Sequence, residues 1–304
     1  MSGRREKVLE QYKNQGVTFM ENRTVRIFAD STCDLTEDLI QKYGITILPL
    51  CIVLDDKSYY DRTQITPDEI FAWAEANKRT PKTAAITFEY AEKMLRPCME
   101  ADEDVIFFGI SEEMSTTCNV MRLAAKEYDK GRVFVIDSQS LSTGIGLQVL
   151  RAAEMARQGK RAEDIVTEIE TARSKVKASF VVDTLTYLAR GGRCSGATAL
   201  VANTLKLHPC INVIDGRMEV GKKYRGSMNK ALLHYVREKE EELKKADGTQ
   251  VFITHSGVAS EIVEQIRDYL ASLGHFHEIL ETTAGCVISS HCGPGTLGVL
   301  YYAE

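Results

Sequence analysis

The chain has 304 residues, of which 44% are hydrophobic and 27% are charged, and its formal net charge at neutral pH is −5. This length exceeds what one typical hydrophobic core supports, so we expect two domains. No apolar run approaches the roughly 18 residues of a membrane helix, and no basic run offers clustered phosphate contacts, so stable membrane insertion and nucleic-acid binding are not expected.

Residues 1–22 are predicted to form a helical extension ahead of the first domain. Their opening, MSGRREKVLEQYKNQ, has basic residues but no apolar core after them, so it is not typical of a secretory signal. The eight cysteines occur singly, with no CxxC pair, which favours a reduced, cytoplasmic protein. The pair His275 and His277 stands without clustered thiolates or carboxylates, so no metal site is predicted.

Residues 23–176 are predicted to form a first α/β domain, a doubly wound and mostly parallel sheet. Apolar runs at 25–30, 104–111 and 133–138 are each followed by an amphipathic stretch, with helices beginning near Asp34, Ser115 and Leu141. Strands that are apolar without strict alternation suit a parallel sheet covered on both faces.

Two helix starts carry local signals. Asp34-x-x-Glu37 resembles a capping box, and Thr66 is followed by proline and, three residues on, by Glu69. Both patterns predict that a helix begins there.

Residues 177–304 are predicted to form a second α/β domain, a mixed sheet with helices. The strands expected there include 179–185 and 250–257, a helix is expected near 196–206, and Asp215-Gly216 indicates a hairpin turn. Two further strands are expected around 275–287 and 296–303, which would make the segment between them an inter-strand loop.

That segment, HCGPGTLG at 291–298, contains Gly293-x-Gly295-x-x-Gly298, the spacing of a dinucleotide-binding loop. Such a loop must open a helix and be followed about 20 residues later by an acidic residue, whereas only six residues remain. Nucleotide binding is therefore not predicted, and we expect the glycines to allow the backbone close to a ligand.

Hydroxyl side chains follow several predicted strands. Ser31, Ser111 and Ser138 stand at strand ends, where ligands bind in open parallel sheets, although such residues also serve as helix caps. Hydroxyls together with helix amides suit a small anion such as a carboxylate. Arg193 and His291, each beside glycines, are the candidate cationic or proton-sharing groups.

Seven segments in order resemble the DegV family of fatty-acid-binding proteins, over nearly the whole chain from about Val25. They are FADSTCDL, LPL, PKT, IDS with STGIG, LTYLARGGRCSG, LKLHPCINVIDG and HCGPGTLG. The resemblance implies two α/β domains with a long-chain fatty acid in a tunnel between them. It also implies a partner, a fatty acid kinase similar to dihydroxyacetone kinases, and no cofactor other than the bound acid.

Carried over by position, the resemblance makes Thr83 and Ser111 the hydroxyls that hold the carboxylate, with Ser115 in the same motif. It places Arg193 and His291 around the point of phosphoryl transfer, and Gly293 and Gly295 beside the head group. The chain departs from the family pattern at residues near that head group, namely Ala84, Glu112 and Thr116.

Two other functions stay open from the residues. One is a stand-alone enzyme that uses Ser111 or His291 on a small carbonyl or ester substrate, although no G-x-S-x-G motif is present. The other is a sensor or regulatory module for a lipid or small carboxylate.

Overall fold

The computed structural model describes residues 23–129, 131–200 and 207–304. The predicted extension at 1–22 and the end of the helix predicted near 196–206 lie outside these residues. The strands are β1 Val25–Asp30, β2 Thr46–Leu48, β3 Cys51–Leu54, β4 Lys57–Tyr60, β5 Lys82–Ala84, β6 Asp104–Gly109, β7 Val133–Asp137, β8 Val176–Val181, β9 Cys194–Ser195, β10 Leu207–Ile214, β11 Arg217–Arg225, β12 Ala246–Ser256, β13 Glu278–Thr283 and β14 Thr296–Ala303.

Helices connect most of these strands. They are α1 Glu37–Tyr43, α2 Pro67–Asn77, α3 Phe88–Glu100, α4 Thr117–Ala125, α5 Thr143–Arg157, α6 Ala162–Ala172, α7 Thr186–Gly191, α8 Ala197–Leu200, α9 Met228–Glu238, α10 Glu240–Leu243, α11 Ser260–Ser272 and α12 Cys286–Cys292. Two short 3₁₀ turns add to them, Ser31–Cys33 and Arg173–Lys175. In the described part of the chain, none of these helices has the length and apolar character needed to cross a bilayer.

The first domain is built on a four-stranded sheet in the order β2-β1-β6-β7, with every neighbouring pair parallel. All six residues of β6 are buried, as expected for a central strand covered on both faces. The next three strands of the chain form a small antiparallel sheet in the order β4-β3-β5, and Thr83 lies on β5. The predicted parallel architecture of this domain is confirmed.

The second domain contains a seven-stranded mixed sheet, in the order β13-β12-β14-β8-β10-β11-β9. The pairs β12–β13 and β11–β9 are parallel, and the other pairs are antiparallel. Asp215 and Gly216, both with positive φ, form the turn between β10 and β11, as their sequence predicts. The mixed sheet with helices is therefore also confirmed.

One of the two predicted capping boxes is present. The Thr66 hydroxyl accepts from the Glu69 N–H, and the Glu69 carboxylate accepts from the Thr66 N–H. The prediction at Asp34 is wrong, because Thr36 caps α1. Asp34 instead lies fully buried with a φ of 51°, and its carboxylate accepts hydrogen bonds from other segments of the chain.

The predicted course of the C-terminal segment is wrong in part. Strand β13 begins after His275 and His277 and ends at Thr283, and the next residues form helix α12 rather than a continued strand and loop. The helix lacks a local capping side chain, because Gly285 occupies its N-cap position. The sequence around it therefore carries no ordinary start signal.

Candidate functional site

A cavity of about 230 Å³ lies between the two domains. The first domain contributes β5 and the loop after β6, and the second contributes α12, Arg193 and Met218 of β11. The residues that line it are Leu50, Thr83, Ala84, Ala85, Ile110, Met114, Ser115, Thr116, Leu141, Arg193, Met218, Val287, Ile288, His291 and Cys292. Its polar lining residues are exposed or half-buried, whereas most of its apolar ones, among them Leu141, Ile288 and Cys292, are buried.

A second, narrow and mostly apolar pocket of about 20 Å³ adjoins this cavity, and we call it the extension. The two spaces share Leu141, Ile288 and Cys292, so these residues form the junction between them. Beyond the junction, Phe180 of β8 and Leu300 of β14 line the extension. The main cavity is therefore polar at its mouth and apolar where it adjoins the extension, and the extension lies against the seven-stranded sheet.

Thr83 and His291 meet at the polar part of the cavity although they are 208 residues apart. The Thr83 Oγ1 atom lies 2.9 Å from the His291 Nε2 atom. The His291 Nδ1 atom is buried and has no hydrogen-bond partner among the described residues. A Cβ atom on Gly191 would lie 2.2 Å from that Nδ1 atom, so only glycine leaves room for the ring.

Burial and the charge of Arg193 lower the pKa of His291 to about 4. The imidazole is therefore neutral at neutral pH, and Thr83 and His291 form a neutral donor–acceptor pair. Such a pair can hold one oxygen of a polar head group without adding a full charge to the cavity.

We expect His291 to make folding less favourable in acid. The unfolded chain binds a proton at this side chain below its ordinary pKa of 6.5, whereas the folded chain stays neutral until about 4. The free energy of unfolding should therefore fall by about 2 kcal/mol between pH 7.5 and 5 through this group. Urea denaturation of the wild type and His291→Gln over this range measures the difference.

Burial raises the pKa values of Asp30 and Asp34 to about 6 and about 7, so these two groups increase the free energy of unfolding as the pH falls. Their contribution is the same in both proteins and cancels when the free energy of unfolding of the variant is subtracted from that of the wild type. His277→Gln, at an exposed position, is the matched control and should track the wild type. Parallel pH profiles for wild type and His291→Gln would contradict the prediction.

Arg193 reaches the same cavity from the second domain. Its Nη1 atom donates to the Gly191 carbonyl at 2.6 Å, and its Nε atom donates to the Met114 carbonyl at 3.4 Å. Because Met114 belongs to the first domain, Arg193 bridges the two domains at the cavity. The residue is exposed, so its guanidinium is available to an anion at the mouth.

Two predicted head-group hydroxyls do not line the cavity. Ser31 is fully buried, where it donates to Asp61 at 2.7 Å and accepts from the Leu50 N–H at 3.1 Å. Ser111 donates to the Gly216 carbonyl at 2.7 Å and so joins the first domain to the β10–β11 turn.

Ser115, by contrast, does line the cavity together with Thr116. The Ser115 Oγ atom lies 2.9 Å from the Thr117 Oγ1 atom and accepts from the Thr117 N–H. Three of the polar side chains at the mouth are therefore Thr83, Ser115 and His291, with Ser111 held behind them.

Gly293 and Gly295 follow α12 and do not line the cavity either. Both have a φ of 78°, and a Cβ atom on Gly293 would lie 2.6 Å from the Tyr187 ring. Gly295 donates its N–H to the Ser256 carbonyl at 2.7 Å. These glycines therefore serve backbone conformation and close packing at the end of the helix.

The two glutamates of the loop after β6 are exposed and ion-paired. Glu112 pairs with Arg122, and Glu113 pairs with Arg217 across the domains at 3.0 Å. Because arginines offset their charges, they do not oppose an anion in the cavity as two unpaired carboxylates would.

The apolar wall was not predicted from the sequence. Ile288 and Cys292 lie four residues apart and face the cavity from one side of α12. Helical spacing in VISSHC is the signal that could have found them, had the segment been recognised as a helix. Among the described residues, no three metal-ligating side chains are grouped to hold an ion.

The fold and cavity together define a class, a two-domain α/β protein with an interdomain space that is polar at its mouth and apolar inside. A family model described as the DegV family of uncharacterised proteins matches residues 24–304. The chain belongs to the DegV family.

Similar proteins span nearly the same length. A DegV domain-containing protein from Deinococcus radiodurans is 33% identical over 277 residues, which are 91% of this chain and 97% of that protein. Another, from Clostridium perfringens, is 31% identical over 280 residues, 92% of this chain and 99% of that protein.

Solved structures agree with this assignment. A DegV family protein from Thermus thermophilus, described as binding fatty acid, has a TM-score of 0.85 at 33% identity, and the match covers 92% of this chain and 100% of that one. A DegV lipid-binding protein from Thermotoga maritima has a TM-score of 0.79 at 28% identity, with 92% and 98% covered.

Proposed function

We propose that this protein binds a long-chain fatty acid between its domains, with the carboxylate at Thr83, Ser115 and His291. The observation that carries this proposal is a cavity with a polar mouth whose apolar residues Leu141, Ile288 and Cys292 also line the adjoining apolar extension. The fatty-acid and lipid binding described for the similar solved structures supports it.

The energetics favour an acyl ligand. Burial of about 14 methylenes at roughly 0.8 kcal/mol each contributes on the order of 11 kcal/mol before the costs of association. Two or three charge-assisted hydrogen bonds to the carboxylate add about 1.5 to 3 kcal/mol each. The acyl chain therefore supplies most of the affinity, and the head-group contacts set the orientation.

We further propose that the protein is a cytoplasmic carrier that presents this carboxylate to a fatty acid kinase similar to dihydroxyacetone kinases. Arg193 supports this role because it is exposed and reaches the cavity from outside. An arginine there can stabilise the charge that develops as a phosphoryl group arrives.

Hydrolysis by the protein alone is the competing function. Thr83 and His291 lie at the distance of a nucleophile and its base, but such a base is normally oriented by a third group on its other nitrogen. In the described part of the chain the His291 Nδ1 atom has no partner. This arrangement favours binding over catalysis.

Mass spectrometry of ligands extracted from the purified protein tests the proposal. We expect protein expressed in bacteria to yield long-chain fatty acid in near-equimolar amount, because the apolar burial of the acyl chain makes its release slow. Protein stripped of lipid should take up added acid again.

Thr83→Val keeps the shape of the side chain but removes its hydroxyl, so this variant should retain less acid after the same purification. Repeated recovery of no lipid from the wild type, together with no uptake in vitro, would overturn the proposal.

A further inference from the structure

Helix α12 carries much of the second domain's share of the cavity wall. Its seven residues include Val287, Ile288, His291 and Cys292, all of which line the cavity. A helix this short is not stable by itself in water, so its position depends on contacts outside it. The contacts at its two ends therefore decide where His291 lies.

The first N–H groups of this segment donate hydrogen bonds to carboxylates of the first domain. The Gly285 N–H donates to Asp34 Oδ1 at 2.8 Å, and the Cys286 N–H donates to Asp61 Oδ1 at 2.8 Å. The Thr282 hydroxyl also donates to the Asp34 main-chain carbonyl at 2.6 Å. The chain separations in these bonds exceed 220 residues, so the helix is capped from another domain.

The second oxygen of each carboxylate is also held. Ser142 donates to Asp34 Oδ2 at 2.6 Å, and Ser31 donates to Asp61 Oδ2 at 2.7 Å. Asp34 is 0% exposed and Asp61 is 1% exposed, so solvent does not compete for these bonds. Each carboxylate has one orientation, because a hydroxyl fixes one oxygen and the helix backbone takes the other.

At the C-terminal end of the helix, close contacts leave little room for His291 to move. His291 lies against Gly191 on one side and within 2.9 Å of Thr83 Oγ1 on the other. A shift of α12 by about 1 Å would break the contact with Thr83, and misplacement of this size can cost about a hundredfold in function.

We propose that Asp34 and Asp61 are positioning residues, which cap α12 from the first domain. They thereby hold His291 in contact with Thr83, and they keep Ile288 at the cavity junction. The consequence for ligand affinity rests on the proposed fatty-acid binding, whereas the consequence for His291 does not. This role also accounts for Ser31 and Asp34, which the sequence motif FADSTCDL brings together.

Asp34→Asn and Asp61→Asn test the proposal in the full chain, first by NMR without lipid and then by release of a fluorescent fatty acid. Each change keeps the side-chain shape but replaces one acceptor oxygen with an NH2 group, so the serine hydroxyl must turn to accept, and a neutral amide oxygen caps the helix N–H more weakly than a carboxylate does. We expect the NMR titration midpoint of the His291 ring to rise by about one pH unit as the ring becomes solvated. We also expect a fluorescent fatty acid to dissociate about tenfold faster.

Asp104→Asn is the matched control, since Asp104 is also a buried first-domain carboxylate but pairs with Arg132 at 2.9 Å. It should leave the His291 titration unchanged even if it lowers stability. A folded Asp61→Asn protein with the wild-type His291 titration would overturn the proposal.

Ser31→Ala is the alternative if the asparagine variants do not fold, because it leaves both carboxylates in place and removes the hydrogen bond that orients Asp61, together with the acceptor of the Leu50 N–H. It should move the His291 titration in the same direction by a smaller amount, and an unchanged titration would contradict the proposal. Failure of the wild type to bind the fatty acid would count against the proposed function alone, since the NMR readout needs no lipid.

Discussion

Arg193→Ala should lose acyl-phosphate formation with a cognate fatty acid kinase by about 100- to 1,000-fold while it retains its bound acid. In the proposed complex the acyl chain supplies most of the affinity, and Arg193 is held by the Gly191 and Met114 carbonyls at an exposed position of the mouth. Its loss therefore affects charge development during transfer more than ground-state binding. The measurement is single-turnover phosphorylation of preloaded carrier.

Arg190→Ala is the matched control, because Arg190 is exposed three residues earlier and does not line the cavity. It should support phosphorylation at the wild-type rate. We expect His291→Ala also to lose acyl-phosphate formation from the acid that it still binds, since it leaves Thr83 without its partner. Full turnover by both cavity variants would show that these residues do not assist the transfer.

If the proposed fatty-acid binding is right, Ile288→Trp should weaken the binding of long-chain acids and leave that of short-chain acids nearly unchanged. Ile288 is 7% exposed and lies at the junction between the main cavity and its narrow extension. In the proposed complex a larger side chain there blocks the path of the acyl chain, so a 16-carbon acid would lose roughly 0.8 kcal/mol for each methylene that is left unburied. An eight-carbon acid, which stays in the main cavity, should bind within about threefold of wild type.

Isothermal titration with acids of increasing length measures this change directly. Leu123→Trp adds the same bulk at a helix position that is 52% exposed, so it should leave the length profile unchanged. If Ile288→Trp folds and still binds the 16-carbon acid as tightly as wild type, the acyl chain does not pass this junction.

The strands and their layers could be predicted well from the sequence. β6 is buried along its whole length, and the residues after Asp104 are all apolar, so the sequence itself indicates a strand that is covered on both faces. Thr66 and Glu69 predict their helix for the same reason, because every atom of the capping box lies within four residues.

The candidate site was predicted only in part. Thr83, Ser115, Arg193 and His291 do line one cavity, but that geometry comes with the positions carried over from the family rather than from any local pattern. Ser111 differs because the β10–β11 turn, about 100 residues further on, takes its hydroxyl. No residue near Ser111 in the sequence predicts that its hydroxyl bonds to Gly216.

By itself the sequence determined the parallel first sheet, the mixed second sheet and the family, because hydrophobic periodicity and motif order are local properties of the chain. The tertiary structure decided that residues 286–292 are a helix, since the acceptors for its first N–H groups, Asp34 and Asp61, come from the other domain. It also decided which hydroxyls face the cavity, because a polar group buried during folding takes whichever partner packing brings within hydrogen-bond distance.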